Sequence, residues 1–353
     1  MSGGDNNVKA KANHLLLFIY YFSIFSLLLS CGCNRQQKQK PAVDLYGDAP
    51  KKPAVDLYVD AVMFKELGQN ELAIERLNSA IKLEKHPSLQ APAYSLLGEI
   101  YLERKDYNKS AASYEKAIQQ NPWSFNDLLN LGKIYQLMKD FAPAAQAYTT
   151  ACDIDRGHLE AHINAAKCYR EIWDYGKALK YGQRAEQIDP NSSETHNFLG
   201  DLYVLKKDHA QAIRSYKRCL EIDSDNPAVM IPLAVEYLRT NRNEQARDVL
   251  ESIVKTQPGN GTAYKHLGYC YLRLKEKDKA IENYNKVVGI NENDWDARRG
   301  LGVAYILKGT NEDGTIDEQL KAEAVRQWQR SLDINPNQPN RESLLKYIRV
   351  FSR

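Results

Sequence analysis

Seven tyrosines recur at a constant interval of 34 residues along this 353-residue chain. They are Tyr101, Tyr135, Tyr169, Tyr203, Tyr237, Tyr271 and Tyr305. A fixed period of this length is typical of stacked helix pairs, in which each repeat contacts only its neighbours. The period therefore favours an elongated repeat protein over a globular fold built around a catalytic cleft.

Other positions recur in register with the tyrosines and have the spacing of helix faces. The residues three, four and seven before each tyrosine share its side of a helix, because these offsets follow the helical period. Small, bulky and again small residues follow at nine, thirteen and sixteen positions after most of the tyrosines. The pattern predicts two helices in each repeat, with glycines such as Gly200 allowing the second helix to approach the first closely.

The stretch from Tyr94 to Pro122, YSLLGEIYLERKDYNKSAASYEKAIQQNP, resembles the tetratricopeptide repeat family. The resemblance implies an all-α fold: a right-handed α-solenoid of about eight helix-turn-helix repeats over residues 54–336, followed by a capping helix over residues 337–353. We expect an insertion near residues 308–317 and an apolar side of the capping helix at Leu344, Leu345, Ile348 and Phe351. The repeats are expected to start near Ala54, Ala91, Phe125, Leu159, Ser193, Pro227, Gly261 and Trp295.

The first thirty residues follow different rules. Lys9, Lys11 and His14 precede an uncharged run from Leu15 to Ser30, which is shorter than the roughly 20 residues that span a bilayer. The run ends in Leu-Leu-Ser-Cys31, which resembles the box of bacterial lipoproteins. The resemblance implies a signal peptide over residues 1–30 and a lipid on Cys31. An uncleaved signal anchor with an unmodified Cys31 is the alternative.

The segment that follows, residues 31–53, is polar and contains several prolines, so we expect a flexible tether. Two acyl chains or more would hold such a protein on a membrane, since each buried CH₂ contributes about 0.8 kcal/mol. By resemblance to proteobacterial lipoproteins, Gly32 after the cysteine favours the outer membrane. The expected location is therefore the bacterial cell envelope, lipid-anchored at the outer membrane and facing the periplasm.

Composition and motifs argue against several functions. The net charge is only +3, and no helix carries a basic stripe with interleaved aromatics, so we predict no nucleic-acid partner. No catalytic motif is present, and no segment long enough for a catalytic domain remains outside the repeats. We therefore predict that the protein is not an enzyme and has no cofactor or metal. The four cysteines outside the lipid box are expected to be buried and unpaired.

The insertion in the last repeat is open to two interpretations. Residues Asn311 to Asp317, NEDGTID, resemble the middle of a calcium-binding loop. Gly309 and Leu320 stand where that loop needs its first and its bidentate carboxylate. The other interpretation is an Asx turn that leads into a helix capped by Asp317.

In the resembled family, the concave surface is lined by residues of the first helices. Repeats three and four then present a polar set, and repeats six to eight present an apolar set with a basic rim. This second set suits an extended or helical peptide with apolar anchors and some acidic residues. Ordinary solvated side chains are the alternative for all of them. The residues are Asn126, Asn130, Lys133, Glu160, Asn164, Lys167 and Arg170 in the first set, and Ile231, Val235, Arg239, Lys265, Tyr269, Arg273, Arg299 and Val303 in the second.

Two functions fit these features. The first is a membrane-anchored adaptor that binds a peptide or helix of an envelope complex in its groove. The second is a scaffold that self-assembles on the membrane surface, which requires a homo-oligomer. Both interpretations take a protein or peptide as the partner and the N-terminal lipid as the contact with the membrane.

Overall fold

The computed structural model describes residues 53–224 and 226–352, which form seventeen α-helices. The predicted signal peptide, Cys31 and the tether lie outside these residues. The helices are α1 Pro53–Glu66, α2 Asn70–Leu83, α3 Pro87–Glu103, α4 Tyr107–Gln120, α5 Phe125–Leu137, α6 Phe141–Ile154, α7 Leu159–Glu171, α8 Tyr175–Ile188, α9 Ser193–Leu205, α10 His209–Ile222, α11 Pro227–Arg239, α12 Asn243–Thr256, α13 Gly261–Arg273, α14 Lys277–Ile290, α15 Trp295–Gly309, α16 Glu318–Ile334 and α17 Arg341–Phe351.

The first sixteen helices form eight pairs, numbered here one to eight, and each helix packs mainly against the one before and the one after it. First helices of neighbouring pairs also touch, as α13 and α15 do. Buried side chains gather in clusters between adjacent pairs. Within the described residues the only β-type pairing is an isolated bridge between Thr310 and Ile316. The predicted all-α repeat fold is confirmed.

The helices of a pair lock together through a glycine and an aromatic ring. A Cβ atom on Gly98 would lie 2.6 Å from the Tyr114 ring, and one on Gly132 would lie 2.8 Å from the Tyr148 ring. Real Cβ atoms do not approach other atoms this closely, so any side chain here would displace the ring. The glycine thus makes room for the ring of its own pair. The five locks are Gly98–Tyr114, Gly132–Tyr148, Gly200–Tyr216, Gly268–Tyr284 and Gly302–Trp328.

Pair four has neither the glycine nor the aromatic ring at the positions that they occupy in the five locks. Ala166 stands at the glycine position, and the ring position is occupied by Gly182. Phe198 and Leu199 of the next pair fill the space, because a Cβ on Gly182 would lie 2.9 Å from Leu199 Cδ2 and 3.3 Å from Phe198 Cε1. Side chains of the following pair therefore occupy the space that an aromatic ring of the same pair fills elsewhere.

The turn within each of pairs one to seven repeats a single backbone motif. In pair two, the Lys105 N–H donates to Leu102 O at 2.9 Å and the Asp106 N–H donates to Tyr101 O at 2.9 Å. Lys105 has φ +60°, so the helix ends in a Schellman motif with a left-handed residue. The periodic tyrosine is thus the residue whose carbonyl accepts the closing bond. The equivalent left-handed residues are Lys139, Trp173, Lys207, Asn241 and Lys275.

The insertion in pair eight forms a tight turn. Asp313 Oδ1 accepts from Thr315 N at 2.9 Å and from Thr315 Oγ1 at 2.6 Å, and Gly314 has φ +85°. Asp317 Oδ1 accepts from the N–H groups of Gln319 and Leu320, both at 2.9 Å. The predicted Asx turn and helix cap are confirmed, and they employ the Asp313 and Asp317 side chains.

The last helix, α17, packs on pair eight. Leu344 is buried, and Ile348 and Phe351 pack with it against Trp328. Leu345 was expected on the same side, but it is exposed because the next residue along a helix points about 100° away. Over residues 53–224 and 226–352, no helix has the combination of length and hydropathy needed to cross a bilayer.

Candidate partner-binding surface

The residue that follows the glycine or alanine of each first helix changes character along the chain. It is charged in pairs two to five, as Glu99, Lys133, Lys167 and Asp201, and apolar or aromatic in pairs six to eight, as Val235, Tyr269 and Val303. These equivalent positions, with their neighbours on the first helices, define what we call the first-helix face. Its two halves therefore offer different chemistry.

The charged half is satisfied by the protein itself. Lys133 Nζ lies 3.0 Å from Glu160 Oε1, and Lys167 forms the equivalent pair with Glu194 of the next first helix. Asp201 accepts from the Tyr216 hydroxyl at 2.6 Å. These contacts leave little unpaired charge for a partner on this half of the face.

Two further polar residues of this half are also engaged. Asn130 Nδ2 donates to the Tyr114 hydroxyl at 3.3 Å. Arg170 donates to Glu171 at 2.8 Å and lies 5.4 Å from the centre of the Phe198 ring. Asn126, on α5, is exposed, and Asn164, on α7, is half-buried.

The apolar half leaves large side chains in solvent. Tyr269 is 44% exposed and Val303 is 37% exposed, although both stand next to buried core positions. Ile231 and Val235, on α11, are half-buried. Neighbouring exposed apolar groups of this kind mark a surface suited to a partner.

Two cations of this half are paired within the protein, and the pairing of Lys265 joins residues too far apart in the sequence to be predicted from local spacing. Lys265 Nζ lies 3.1 Å from Asp294 and 3.8 Å from Asp296. Arg299 lies 2.6 Å from Asp296. The expected basic rim is therefore largely neutralised by acidic residues at the start of α15.

Two arginines complete the rim. Arg239 lies 3.4 Å from the buried Glu236, which also bonds His209 at 2.6 Å. Arg273 donates to the Tyr269 hydroxyl at 3.0 Å and to Asn241, and no carboxylate of the described residues pairs with it. Arg273 is thus the rim cation best placed to meet an acidic group of a partner.

One cavity brings four of the sequence-predicted residues together. Lys265, Tyr269, Arg299 and Val303 line a space of about 490 Å³ between α13, α15 and α17. One wall of this cavity is formed by Leu344 and Tyr347 of α17. The sequence identified α17 only as a cap. Its apolar Tyr347, placed three residues after Leu344, was the available signal that the helix also borders the groove.

The other predicted residues are dispersed. Asn126 and Asn130 line a separate, more polar cavity of about 420 Å³ with Ser95 and Glu99. The remaining members of both predicted sets lie along the first helices outside these two cavities, and they are Lys133, Glu160, Asn164, Lys167, Arg170, Ile231, Val235, Arg239 and Arg273.

The described part of the chain offers little reactive chemistry. Burial raises the pKa of the Cys152 and Cys168 thiols to about 12 and that of Cys270 to about 11. Thiols with such values carry almost no thiolate at neutral pH and are poor nucleophiles. No three His, Cys, Asp or Glu side chains of residues 53–224 and 226–352 are grouped as metal ligands would be.

Four segments of the chain match models of the tetratricopeptide repeat. The matched residues are 203–268, 262–294, 91–122 and 128–158. The helix pairs of these segments are therefore tetratricopeptide repeats. No curated protein matches the chain in sequence.

Several solved structures have a similar arrangement of helices. YrrB, described as a tetratricopeptide repeat protein with an unusual peptide-binding site, is 20% identical, with a TM-score of 0.48 over 57% of this chain and 99% of its own. A tetratricopeptide repeat protein from Parabacteroides merdae is 16% identical, with a TM-score of 0.49, and the match covers 75% of this chain and 99% of that protein. Pseudomonas aeruginosa pilF is 19% identical, with a TM-score of 0.47, and the match covers 60% of this chain and 96% of that protein.

Proposed function

We propose that this chain, which carries tetratricopeptide repeats, is a non-catalytic adaptor that binds a peptide or helix of a protein partner. The repeat fold supports a role in protein–protein interaction. The binding surface proposed here is the apolar half of the first-helix face, in pairs six to eight. The partner is proposed to be a component of a bacterial envelope complex.

The contrast between the two halves of the face is the observation that carries this proposal. Equivalent positions hold self-paired charges in pairs two to five, and exposed apolar groups in pairs six to eight. Solvent-exposed Tyr269 and Val303 lose apolar hydration when a partner covers them, whereas the paired charges of the other half gain nothing from being covered. Binding energy is therefore available mainly on the apolar half.

The pairing of the rim cations also limits the chemistry of the partner. Lys265 and Arg299 already have carboxylate partners, so an acidic group would compete with Asp294 and Asp296. The proposed partner is consequently a segment with aliphatic or aromatic anchors and little net charge. One acidic residue placed near Arg273 would be accepted.

The membrane-anchored part of the proposal rests on the sequence alone. The apolar run and the Leu-Leu-Ser-Cys31 box support a lipid at Cys31, and the polar residues 31–53 support a tether. The proposed location is the outer membrane, with the repeats facing the periplasm. The lipid fixes where the protein is, while the first-helix face selects what it binds.

Capture from detergent-solubilised membranes tests the binding surface. Full-length protein and its Tyr269→Asp variant are compared by quantitative mass spectrometry. A discrete partner is expected with the parent and at least tenfold less of it with the variant, because the substitution removes the aromatic ring and places a charge in an apolar contact.

The matched control is Lys167→Ala, at the equivalent position of the polar half. This variant should recover the partner at the parental level. Undiminished recovery with Tyr269→Asp would show that another surface binds.

The lipid anchor is tested with Cys31→Ala. Without the thiol, the protein is expected to lose incorporation of labelled palmitate and to accumulate as an unprocessed precursor or in the soluble fraction. Cys33→Ala is the control and should be labelled normally. Unchanged processing and labelling of Cys31→Ala would rule out the lipoprotein interpretation.

Self-assembly into a scaffold is the second candidate, and the first helix favours it. Val55, Val59 and Met63 recur every four residues along α1 and are 44%, 50% and 47% exposed. Such a stripe at the end of a helix stack could pair with another copy. Multi-angle light scattering of the full chain in detergent should then show an oligomer that Val59→Glu dissociates. A monomer at high protein concentration would contradict this candidate.

A further inference from the structure

The five aromatic residues of the glycine locks reach through their pair toward polar groups, and four of them find a partner. The Tyr114 hydroxyl accepts from Asn130, the Tyr148 hydroxyl donates to Gln136 at 3.0 Å, and the Tyr216 hydroxyl donates to Asp201. Trp328 Nε1 donates to Arg299 O at 3.1 Å. Buried polar groups are normally paired in this way.

Tyr284 is the exception. Its side chain is only 4% exposed, yet its hydroxyl has no hydrogen-bond partner within residues 53–224 and 226–352. The residue lines the cavity of about 490 Å³ between α13, α15 and α17. Tyr284 is therefore a buried residue whose unpaired hydroxyl borders a cavity on the apolar half of the face and keeps contact with solvent.

The next repeat explains why this hydroxyl is left free. Gly300 occupies the position that Asn130 holds relative to Tyr114, sixteen residues after the ring. A Cβ on Gly300 would lie 2.5 Å from Tyr284 Cζ and 2.8 Å from its hydroxyl oxygen. The absence of a side chain at residue 300 therefore lets the ring lean against α15. It also removes the side chain that, at the equivalent position of pair three, donates to the Tyr114 hydroxyl.

The surroundings of the hydroxyl are apolar and close to neutral. Tyr269, Leu272, Val303, Leu344 and Tyr347 form the apolar walls, and the neutral polar residues Asn340 and Ser343 line the cavity as well. The charged groups at the edge, Lys265, Arg299 and Asp296, are paired with one another or with Asp294. A charged ligand group would find no free counter-charge at the bottom of this cavity.

The protonation states of Tyr284 and His266 also leave the cavity without a net charge. Burial raises the pKa of Tyr284 well above its usual value, so the hydroxyl keeps its proton and can donate. Burial and the nearby Lys265 lower the pKa of His266, which lines the same space and is therefore neutral at neutral pH.

We propose that this cavity is a side-chain subsite that receives a tyrosine of the partner, whose phenolic oxygen accepts a hydrogen bond from the Tyr284 hydroxyl. The inference rests on the proposed function and specifies its anchor residue. A purely apolar anchor such as phenylalanine would exclude water from the Tyr284 hydroxyl without replacing the bond. A charged anchor would be buried without a counter-ion.

Two small probes test the subsite with the full-length protein in detergent. N-acetyl-tyrosine amide and N-acetyl-phenylalanine amide differ only in the hydroxyl group. Methyl NMR signals of Val303 and Leu344 should respond to both, with the tyrosine probe binding about three- to tenfold more tightly, as one net hydrogen bond allows.

Tyr284→Phe keeps the ring and removes the donor, so the preference for the tyrosine probe should disappear. Tyr148→Phe removes an equivalent hydroxyl outside the cavity and should leave the preference intact. Equal binding of the two probes to the parent, no response at Val303 and Leu344, or an unchanged preference in Tyr284→Phe would each overturn the subsite.

Partner capture distinguishes a failure of the tyrosine subsite from a failure of the proposed binding surface. If Tyr269→Asp loses the partner and Tyr284→Phe weakens its capture, both stand. Loss with Tyr269→Asp and parental capture by Tyr284→Phe would overturn the subsite and leave the surface in place. Parental capture by both variants would overturn the surface as well.

Discussion

At the scale of single residues, the glycine locks determine how closely paired helices approach. Each lock excludes one Cβ atom to admit one ring, so the glycine and the aromatic residue are coupled across sixteen positions in pairs two, three, five and seven. In pair eight the insertion widens this separation, and Gly302 faces Trp328 instead of a tyrosine. The sequence predicted the contact positions, whereas the identity of the facing atoms required the coordinates.

Gly200→Ala tests the lock directly. Its added Cβ would approach the Tyr216 ring even more closely than the corresponding atom on Gly98 approaches Tyr114. We expect a loss of about 1–3 kcal/mol in the free energy of unfolding, the range typical of overpacking.

The control is Gly289→Ala, since this helical glycine is exposed and a Cβ there would meet no atom within 4 Å. That variant should be more stable by about 0.5–1 kcal/mol, because alanine favours the helix. Urea denaturation followed by circular dichroism measures both changes. Equal stability of Gly200→Ala and the parent would show that the helices can separate without cost.

At the scale of elements, the turns and the last helix determine where each helix ends and what it covers. Six pairs close their turn with a left-handed residue that is not glycine, and pair one uses Gly68 with φ +73°. A strained, left-handed residue therefore recurs every 34 residues, at the same interval as the tyrosines. Propensity did not predict it, because lysine and tryptophan give no sign of a left-handed conformation.

Lys207→Gly should relieve part of this strain. Lys207 has φ +59°, a conformation that costs an L-residue about 1–2 kcal/mol and glycine almost nothing. Because glycine loses more entropy on folding, we expect a net gain of about 0.5–1 kcal/mol in the free energy of unfolding.

Lys206→Gly, one residue earlier at φ −80°, should instead lose about 0.5–1 kcal/mol. Thermal and urea denaturation of the two single variants provide the comparison. A destabilised Lys207→Gly would mean that the lysine side chain stabilises this turn more than its backbone strains it.

The attachment of α17 depends on Leu344. This residue is 4% exposed and packs with Trp328, whereas the adjacent Leu345 is 36% exposed. Leu344→Ala should cost about 2–5 kcal/mol locally, as buried leucines do, and should speed amide hydrogen exchange in α17. Leu345→Ala should leave exchange unchanged. Equal exchange in both variants would show that α17 does not rest on Leu344.

At the scale of the described repeats, stability comes from contacts between neighbours, and ring burial is distributed along the whole stack. Burial, followed by the hydrogen bond to Glu115, raises the pKa of Tyr135 to about 12. Burial raises the pKa values of Tyr114, Tyr148, Tyr216 and Tyr284 further. In every case the folded state favours the neutral phenol.

Alkaline pH should therefore unfold the stack cooperatively. The unfolded pKa of tyrosine is about 10, so the contribution of these residues is complete below pH 10 and is lost as the pH rises toward their folded values. Absorbance at 295 nm and the helical circular dichroism signal should change together between about pH 10 and 12. Tyrosines that ionise near pH 10 with an unchanged helical signal would contradict this.

The sequence alone determined the all-α repeat fold, because a helix pair that buries one face on each neighbour must repeat the same sizes at the same intervals. The resemblance to the tetratricopeptide repeat family then assigned Lys265, Tyr269, Arg299 and Val303 to one surface. Local spacing was sufficient for the fold, and the surface followed from the resemblance.

Only the tertiary structure decided which charges were free and where a cavity opened. Lys265 of α13 pairs with Asp294 and Asp296 at the start of α15, and α17 turns back to supply Tyr347 as a wall. The ring and hydroxyl of Tyr284 pack against Gly300, which belongs to the next repeat. Such features come from contacts between elements, and the distance and direction of those contacts are not encoded in any one period of the sequence.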